Sequence, residues 1–354
     1  MDFWVLKNIV TKLLWRLRTK KFALLIQRFA FIGYWFYAQL FVSRDHHEVF
    51  LRQSSYSYLK KRAEINPINF NKKILHRMAF DRNPIFPMLT DKIAVRDYVK
   101  ERVGTNLLIP ALAICDSVSH LNWQELPQEF VCKVSHGSGG LIGVDKNVDG
   151  NSELPIEIRR LSWQRFWVNP ERFNPTSAEA MLKKWLSVSY EWMPGRSPEW
   201  AYAGLKPRII VEELLIGPDS KISTQTQFYV FDGKVRLILK AGRNNDGKRT
   251  MNFYSLDWES LPVWFVGGSR FEHADSPQPK PLNLSSMISI AECLGEGLDF
   301  VRVDLYDLGA EIRFGEMTLY PSAGESFLHP HNFNLELGLN WKLERGFAEY
   351  GSKR

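Results

Sequence analysis

An α+β fold is what this sequence predicts, from three observations. Two segments alternate apolar and polar positions about a turn and read as β-hairpins: Gln227–Gly242 around Asp232-Gly233, and Val301–Gly324 around Asp307-Leu308-Gly309. Two others, Thr90–Gly104 and Leu284–Leu294, read as helices. The chain has 354 residues, 45% apolar and 24% charged, the make-up of an ordinary globular protein with room for two or three subdomains.

Composition and charge narrow the function classes. Cys115, Cys132 and Cys293 lie far apart without CxxC or Cys/His spacing, which speaks for a reducing compartment and against a disulfide framework or zinc site. The net charge of +7 is concentrated at the start, where Lys7, Lys12, Arg16, Arg18, Lys20, Lys21 and Arg28 face Asp2 alone. The rest is close to neutral and carries no nucleic-acid-binding signature, so no nucleic-acid partner is expected.

Residues 1–48 stand apart as a basic, aromatic-rich helical segment. Phe3, Trp4, Leu6, Ile9, Val10, Leu13, Leu14 and Leu17 recur at helical spacing. The following Phe22–Val42 is apolar but holds Gln27, Arg28 and Gln39, and an arginine near the middle of a span costs a few kcal/mol, so no transmembrane helix is expected. The apolar run starts late and no small-residue cleavage site follows, which argues against a signal peptide. Such a segment suits the surface of an anionic membrane, and equally a pair of helices covering the body of the protein or a partner.

The body divides into 49–125, 126–217 and 218–354. Short helical patterns end at Asn66-Pro67 and Asn83-Pro84. Thr90 is placed to cap the next helix, with Ile93, Val95, Val99 and Val103 as its apolar side and Gly104 as its stop. Leu107–Ser117 reads as a buried strand. Phe130–Val134 is a strand running into His136-Gly137-Ser138-Gly139-Gly140, whose backbone N–H groups can approach a phosphate closely, with Lys133 adding positive charge; a glycine-rich turn by itself is also just a turn. Ile142 stands where GxGxxG needs its last glycine, so this is no dinucleotide fingerprint. Gly242–Arg249 matches GxxxxGK, but Arg249 replaces the Ser/Thr of a P-loop and a strand follows where a helix is required. Asn151–Pro198 is tryptophan-rich and helical, its tryptophans read as packing anchors or as a surface for a sugar or amphipathic substrate. Pro207–Gly217 is a strand with Glu212 and Glu213 just after it.

The Val301–Gly324 hairpin carries the most chemistry. Strand side chains alternate with period two, so Asp304 and Glu316 can stand side by side, with Thr318 two positions on. Two carboxylates in one site repel unless a proton or cation lies between them, and oxygen-only ligands suit Mg²⁺ or Mn²⁺. Spacing alone also fits a solvated hairpin with scattered acids. His329 and His331 lack an acidic partner at ligand spacing and read as loop or packing residues.

Taken together, FDRNP, DKIAVRDYV, LPQEFVCKVSHGSGG, KPRIIVEELL, the Lys-Arg before NFYSLDW, and VRVDLY…FGEMTLYPSAG resemble the ATP-grasp superfamily. The narrower resemblance, over about Asn66 to Gly338, is to its TupA-like group, associated with teichuronopeptide and other cell-surface polysaccharide synthesis. The resemblance implies an α+β ATP-grasp fold with two lobes gripping ATP. It implies that Lys92 and Lys133 hold the phosphates and that His136, Gly137 and Ser138–Gly140 line the loop closing over them. Glu212, Glu213 and the backbone at Leu214 would meet adenine and ribose, and Asp304, Glu316 and Thr318 the Mg²⁺ (or Mn²⁺). Lys248, Arg249 and Arg302 would steer the carboxylate and stabilise the transferring phosphoryl group. One departure is Gln225-Thr226-Gln227 where relatives often carry Asp-Tyr-Lys; either Lys240 replaces that lysine or nucleotide binding is altered.

The implied reaction is ATP-dependent carboxylate–amine ligation through an acyl phosphate, on a cell-surface glycan or its precursor, at the cytoplasmic membrane face. Such transfer needs positioning and charge neutralisation more than a protein nucleophile, which agrees with the lack of a Ser-His-Asp or Cys-His arrangement. The partners implied are a small-molecule or glycan carboxylate, an amine, and membrane-bound polysaccharide machinery. Two alternatives stay open: a kinase or phosphotransferase using the same ATP site, and a nucleotide-binding assembly protein without catalysis.

Overall fold

The computed structural model describes residues 44–155, 163–192, 196–218, 222–243, 249–266 and 277–343. The basic segment 1–42 and Lys248 lie outside them, as does the side chain of Arg249. Among the described residues no helix is long and apolar enough to cross a membrane.

The chain forms two compact units. Of the described residues, one holds 44–58, 192 and 196–198; it contains most of helix α1 (Arg44–Arg62), and the Trp192 indole donates to the Ser55 hydroxyl at 2.6 Å. The other, residues 59–191 and 199–354, contains both sheets described below.

The larger sheet has six antiparallel strands in the order β12-β11-β6-β7-β8-β9. These are β6 (Thr226–Phe231), β7 (Lys234–Arg243), β8 (Arg249–Tyr254), β9 (Ser260–Leu261), β11 (Phe300–Asp307) and β12 (Ile312–Thr318). Both predicted hairpins are here. Asp232 (φ +49°) and Gly233 (φ +74°) make the first turn and Gly309 (φ +80°) sits in the second, where left-handed backbone favours these residue types. Gly242–Arg249 joins the antiparallel strands β7 and β8, the wrong setting for a P-loop.

Helices α2 (Phe70–Phe80), α4 (Val95–Val103), α6 (Leu284–Gly295) and α7 (His331–Leu339) share the apolar core of this sheet. Arg77, fully buried on α2, donates to the Phe300 carbonyl (2.8 Å), pairs with Asp299 and lies 4.3 Å from the Trp341 ring centre. It ties α2 to the start of β11, the strand that carries Arg302 and Asp304.

The smaller sheet runs β1-β5-β2-β3-β4: β1 (Ala111–Cys115), β2 (Phe130–Val134), β3 (Leu141–Val144), β4 (Arg165–Val168) and β5 (Ile209–Glu213). All pairs are antiparallel except β3 with β4. Cys132, Val134, Ile142, Val144, Ile209 and Val211 form one buried face, packed with Ala178, Met181, Leu182 and Trp185 of α5 (Pro175–Leu186). The opposite face carries Lys133 and Glu212 beside buried Val131 and Ile210.

Three expectations need correction. The strand predicted as buried, Ala111–Cys115, is the sheet's edge, paired with β5 alone, and leaves Ile114 exposed. Glu212 and Glu213 end their strand rather than follow it. Thr90 does not cap α4: it closes helix α3 (Phe86–Thr90), its hydroxyl bonding the carbonyls of Phe86, Pro87 and Ala201. Asp91 instead fixes the turn ahead of α4, accepting from the Ile93 (2.8 Å) and Ala94 (2.9 Å) N–H groups, while the helix itself starts after Ala94 without a side-chain cap. The strand β10 (Trp264–Val266) pairs with β13 (Phe327–His329), where exposed His329 lies 4.4 Å from the Trp264 ring.

Candidate active site

Register and alternation put Lys133 and Glu212 on the same face of the smaller sheet, away from its apolar core. Lys133 Nζ donates to Glu212 Oε2 at 2.6 Å, and Arg96 of α4 reaches the other oxygen at 3.1 Å. Burial works to lower the Lys133 ammonium, but the Glu212 carboxylate, with Tyr306 and Glu316, holds it above its usual value. Lys92 donates to the Gly137 carbonyl, and its backbone N–H to the Ser135 carbonyl (3.1 Å), so the segment after α3 is laced to the glycine-rich loop. Burial brings Lys92 down to about 8; Glu316 opposes this, while Lys133 and Arg165 add to it.

The glycines of the loop have a local cause. A Cβ on Gly137 would meet the Trp163 ring at 2.6 Å, and one on Gly139 (φ +92°) would come 2.0 Å from the Trp163 carbonyl oxygen. Trp163 thus fills the space that side chains would need, and the loop lies flat against it. His136 is buried behind the loop, one ring nitrogen 3.0 Å from the Val188 carbonyl, its ring edge-on to Trp163. Ser138 points outward.

On the larger sheet, Asp304 pairs directly with Glu316, and Arg302 with Thr318, so all four share a face. Arg302 grips Asp304 through Nε–Oδ1 and Nη2–Oδ2, both 2.7 Å, and Nη2 also reaches Glu316 Oε1 at 2.9 Å. Thr318 stands 3.4 Å from the same Glu316 oxygen. Burial pushes the Asp304 carboxyl up to about 7 against the pull of Arg302. Burial acts on Glu316 in the same sense, but Arg302, Arg165, Lys92 and Lys133 together keep it low. The electrostatics therefore join the two sheets: the acid on β12 feels cations from the segment after α3 and from the smaller sheet.

A family model, TupA-like ATPgrasp, matches residues 72–342. The chain belongs to the TupA-like ATP-grasp family. This membership gives it the ATP-grasp fold. Solved structures that it resembles include the ATP-grasp ligase PsnB complexed with minimal precursor, at 10% identity and TM-score 0.32 over 68% of this chain and 54% of that one. Another is D-alanine–D-alanine ligase from Bacillus anthracis complexed with ATP, at 13% identity and TM-score 0.36 over 72% of this chain and 63% of that one. The chain thus spans little more than half the length of the first of these. No curated protein matches the sequence.

In this ATP-grasp chain the structure brings together Lys92, Lys133, Glu212, Arg302, Asp304, Glu316 and Thr318. Glu213, next to Glu212, alternates to the other side of β5 and is exposed, and Leu214 is half-buried just beyond the strand. Lys240 pairs with Thr226, one residue off Gln227 and on the other face of the sheet; its ammonium binds the Thr224 carbonyl (2.9 Å) and the Thr226 hydroxyl (3.1 Å). The position beside Asp304 belongs to Gln227, which donates to Asp304 Oδ2 at 3.1 Å. Three residues not singled out from the sequence also act on the site: Arg165, Tyr306 and Tyr202. Tyr306 feels Lys133 and Glu316, and Tyr202 feels Glu199 and Glu316. Only the alternation Arg302–Asp304–Tyr306 along β11 signalled any of them.

The residues fit a divalent cation with a polyphosphate. Asp304 and Glu316 already converge on one guanidinium nitrogen, so they can share a single cation. The donors are hard oxygens, which suit Mg²⁺. Gln227 Oε1 is buried without a hydrogen-bond partner among the described residues, an acceptor beside the same site.

Proposed function

We propose that the protein is an ATP-dependent carboxylate–amine ligase that forms an amide bond on a cell-surface glycan or its precursor. The observation that carries the reading is the meeting of Lys92, Lys133 and Arg302 with an oxygen-only acid pair. The glycan assignment rests on the family alone. In the reaction a substrate carboxylate oxygen attacks the γ-phosphorus of ATP, the bond to ADP breaks, and an acyl phosphate forms. The amine then attacks the acyl carbon, phosphate leaves, and the amine proton passes to solvent.

The chain supplies binding and charge, not a nucleophile. Lys133 is held in place by Glu212, and Lys92 by the Gly137 carbonyl, so both ammonium groups are positioned before phosphate arrives. Arg302 orients Asp304 and would face the transferring group. Asp304 and Glu316, with Thr318 beside them, would hold Mg²⁺, which neutralises phosphate charge.

Calorimetric titration with ATP, with and without Mg²⁺, on wild type and Lys133→Ala tests the site. Metal-dependent binding that the variant loses supports it; absence of binding to wild type overturns it. A second reading, nucleotide binding without turnover, is favoured by Gln227, a neutral amide beside Asp304 where relatives often carry lysine. Phosphate release that depends on added amine separates ligation from that reading and from a phosphotransferase. For residues 1–42 the basic aromatic pattern supports attachment to an anionic membrane surface. Sedimentation with anionic liposomes should then fall as salt rises, and salt-independent or absent binding would refute it.

A further inference from the structure

Arg165 opens β4, a strand that the apparent chemistry of the site does not use. Its register is informative: Arg165 pairs with Leu141, Leu141 with Lys133, and Lys133 with Ile210. Residues paired in this way share a face, so Arg165 lies on the Lys133–Glu212 side of the smaller sheet. Two strand spacings separate it from Lys133, roughly 10 Å along the sheet. A long arginine side chain spans most of that gap.

Arg165 is exposed, and its side chain has no hydrogen bond or ion pair with any described residue. The other cations of the site are engaged: Lys133 with Glu212, Lys92 with Gly137, Arg302 with Asp304 and Glu316. Its field nonetheless reaches three elements, acting on Lys92 before α4, Tyr306 on β11 and Glu316 on β12. A guanidinium on this face whose charge is felt by all three, and whose side chain is bonded to none, is poised for an anion arriving among them.

The chain also couples Arg165 to the glycine-rich loop. Trp163, two residues earlier, occupies the space that Cβ atoms on Gly137 and Gly139 would need, and the Leu141 N–H donates to the Gln164 carbonyl at 3.2 Å. Loop and Arg165 therefore form one packed piece, and whatever the loop closes over, Arg165 approaches with it.

We propose that Arg165 contacts the terminal phosphoryl group of the bound nucleoside triphosphate, from the smaller sheet and opposite Arg302. The inference rests on the nucleotide-site reading above and adds a residue to it. Glu316, which Arg165 addresses, is the acid placed to share a cation with the phosphates, so the contact falls at the reacting end of the nucleotide. A guanidinium also matches the planar, bidentate geometry of phosphoryl oxygens.

The test compares binding of the non-hydrolysable β,γ-imido analogue of ATP with binding of ADP, both with Mg²⁺, on full-length wild type, Arg165→Ala and Arg165→Lys. A lost charge-assisted contact weakens binding about tenfold or more. We expect that loss for the triphosphate with Arg165→Ala, an ADP affinity within about twofold of wild type, and a smaller triphosphate loss with Arg165→Lys. Equal weakening of both nucleotides would show a general or structural role and overturn the inference, as would an unchanged triphosphate affinity. If wild type bound neither nucleotide, the site reading itself would fall, an outcome distinct from either.

Discussion

Arg302 lies bidentate on Asp304, with Nε and Nη2 each 2.7 Å from a carboxylate oxygen, and the same Nη2 holds Glu316 at 2.9 Å. One guanidinium thus keeps two acids on adjacent strands from repelling each other, the role that a bound metal would share. Replacing Arg302 with Ala should leave the acids uncompensated and cost about 3 kcal/mol of stability in metal-free buffer. Mg²⁺ should restore part of it. Denaturant titrations with chelator and with Mg²⁺ measure this, and a variant indifferent to Mg²⁺ would contradict a shared cation site.

Glu316→Gln should lower ATP turnover by at least about a hundredfold, because a neutral amide cannot balance metal and phosphate charge. The swap keeps shape, and the Glu316 side chain retains 29% exposure, so stability should stay within about 1 kcal/mol of wild type. Normal turnover in a folded variant would remove Glu316 from the site.

Lys92 gives a pH prediction. Burial lowers its ammonium to about 8, and a phosphate arriving beside it favours the charged form and raises it again. Binding then takes up a proton above pH 8, so ATP affinity is full below about 8 and falls as pH rises from there. Lys92→Arg stays charged throughout and should flatten the profile between pH 7 and 9.5. An identical slope in wild type and Lys92→Arg would assign the titration to another group. The same shift acts on folding: the unfolded chain holds the Lys92 proton up to its ordinary value near 10.5, so this group's contribution to stability improves between about pH 8 and 10.5.

What the sequence could convey was local. Asp232-Gly233 and Asp307–Gly309 declared their hairpins because the turns need left-handed backbone, which the residue types announce. Phe130–Val134 was legible as a strand to the residue. Strand Arg165–Val168 was not: it has four residues, with no alternation to mark it, and exists because it docks parallel on β3. Arg165 stayed hidden with it. Ala111–Cys115 looked buried because an apolar run does not reveal whether it has one neighbouring strand or two. The acid pair Asp304/Glu316 was readable, but not Arg302 as its bridge, since that depends on side-chain direction within the sheet.

The glycine-rich loop yields the sharpest stability contrast. Gly139 has φ +92°, and a Cβ there would stand 2.0 Å from the Trp163 carbonyl oxygen, a backbone atom with no rotamer through which to escape. Gly139→Ala must therefore move the loop, the segment at Trp163, or both. Left-handed strain alone costs about 1–3 kcal/mol, and the clash adds to it. Gly150→Ala is the control, since nothing lies within 4 Å of the added methyl and its φ is not in the left-handed region; its effect should stay within about 0.5 kcal/mol. Because Trp163 sits two residues from Arg165, the displaced loop should also weaken triphosphate binding in Gly139→Ala and leave it unchanged in Gly150→Ala. Chemical denaturation and nucleotide titration on the two variants read both effects. If Gly139→Ala were as stable as Gly150→Ala, the close packing of the loop on Trp163 would be wrong, and with it the argument that loop and Arg165 travel as one piece.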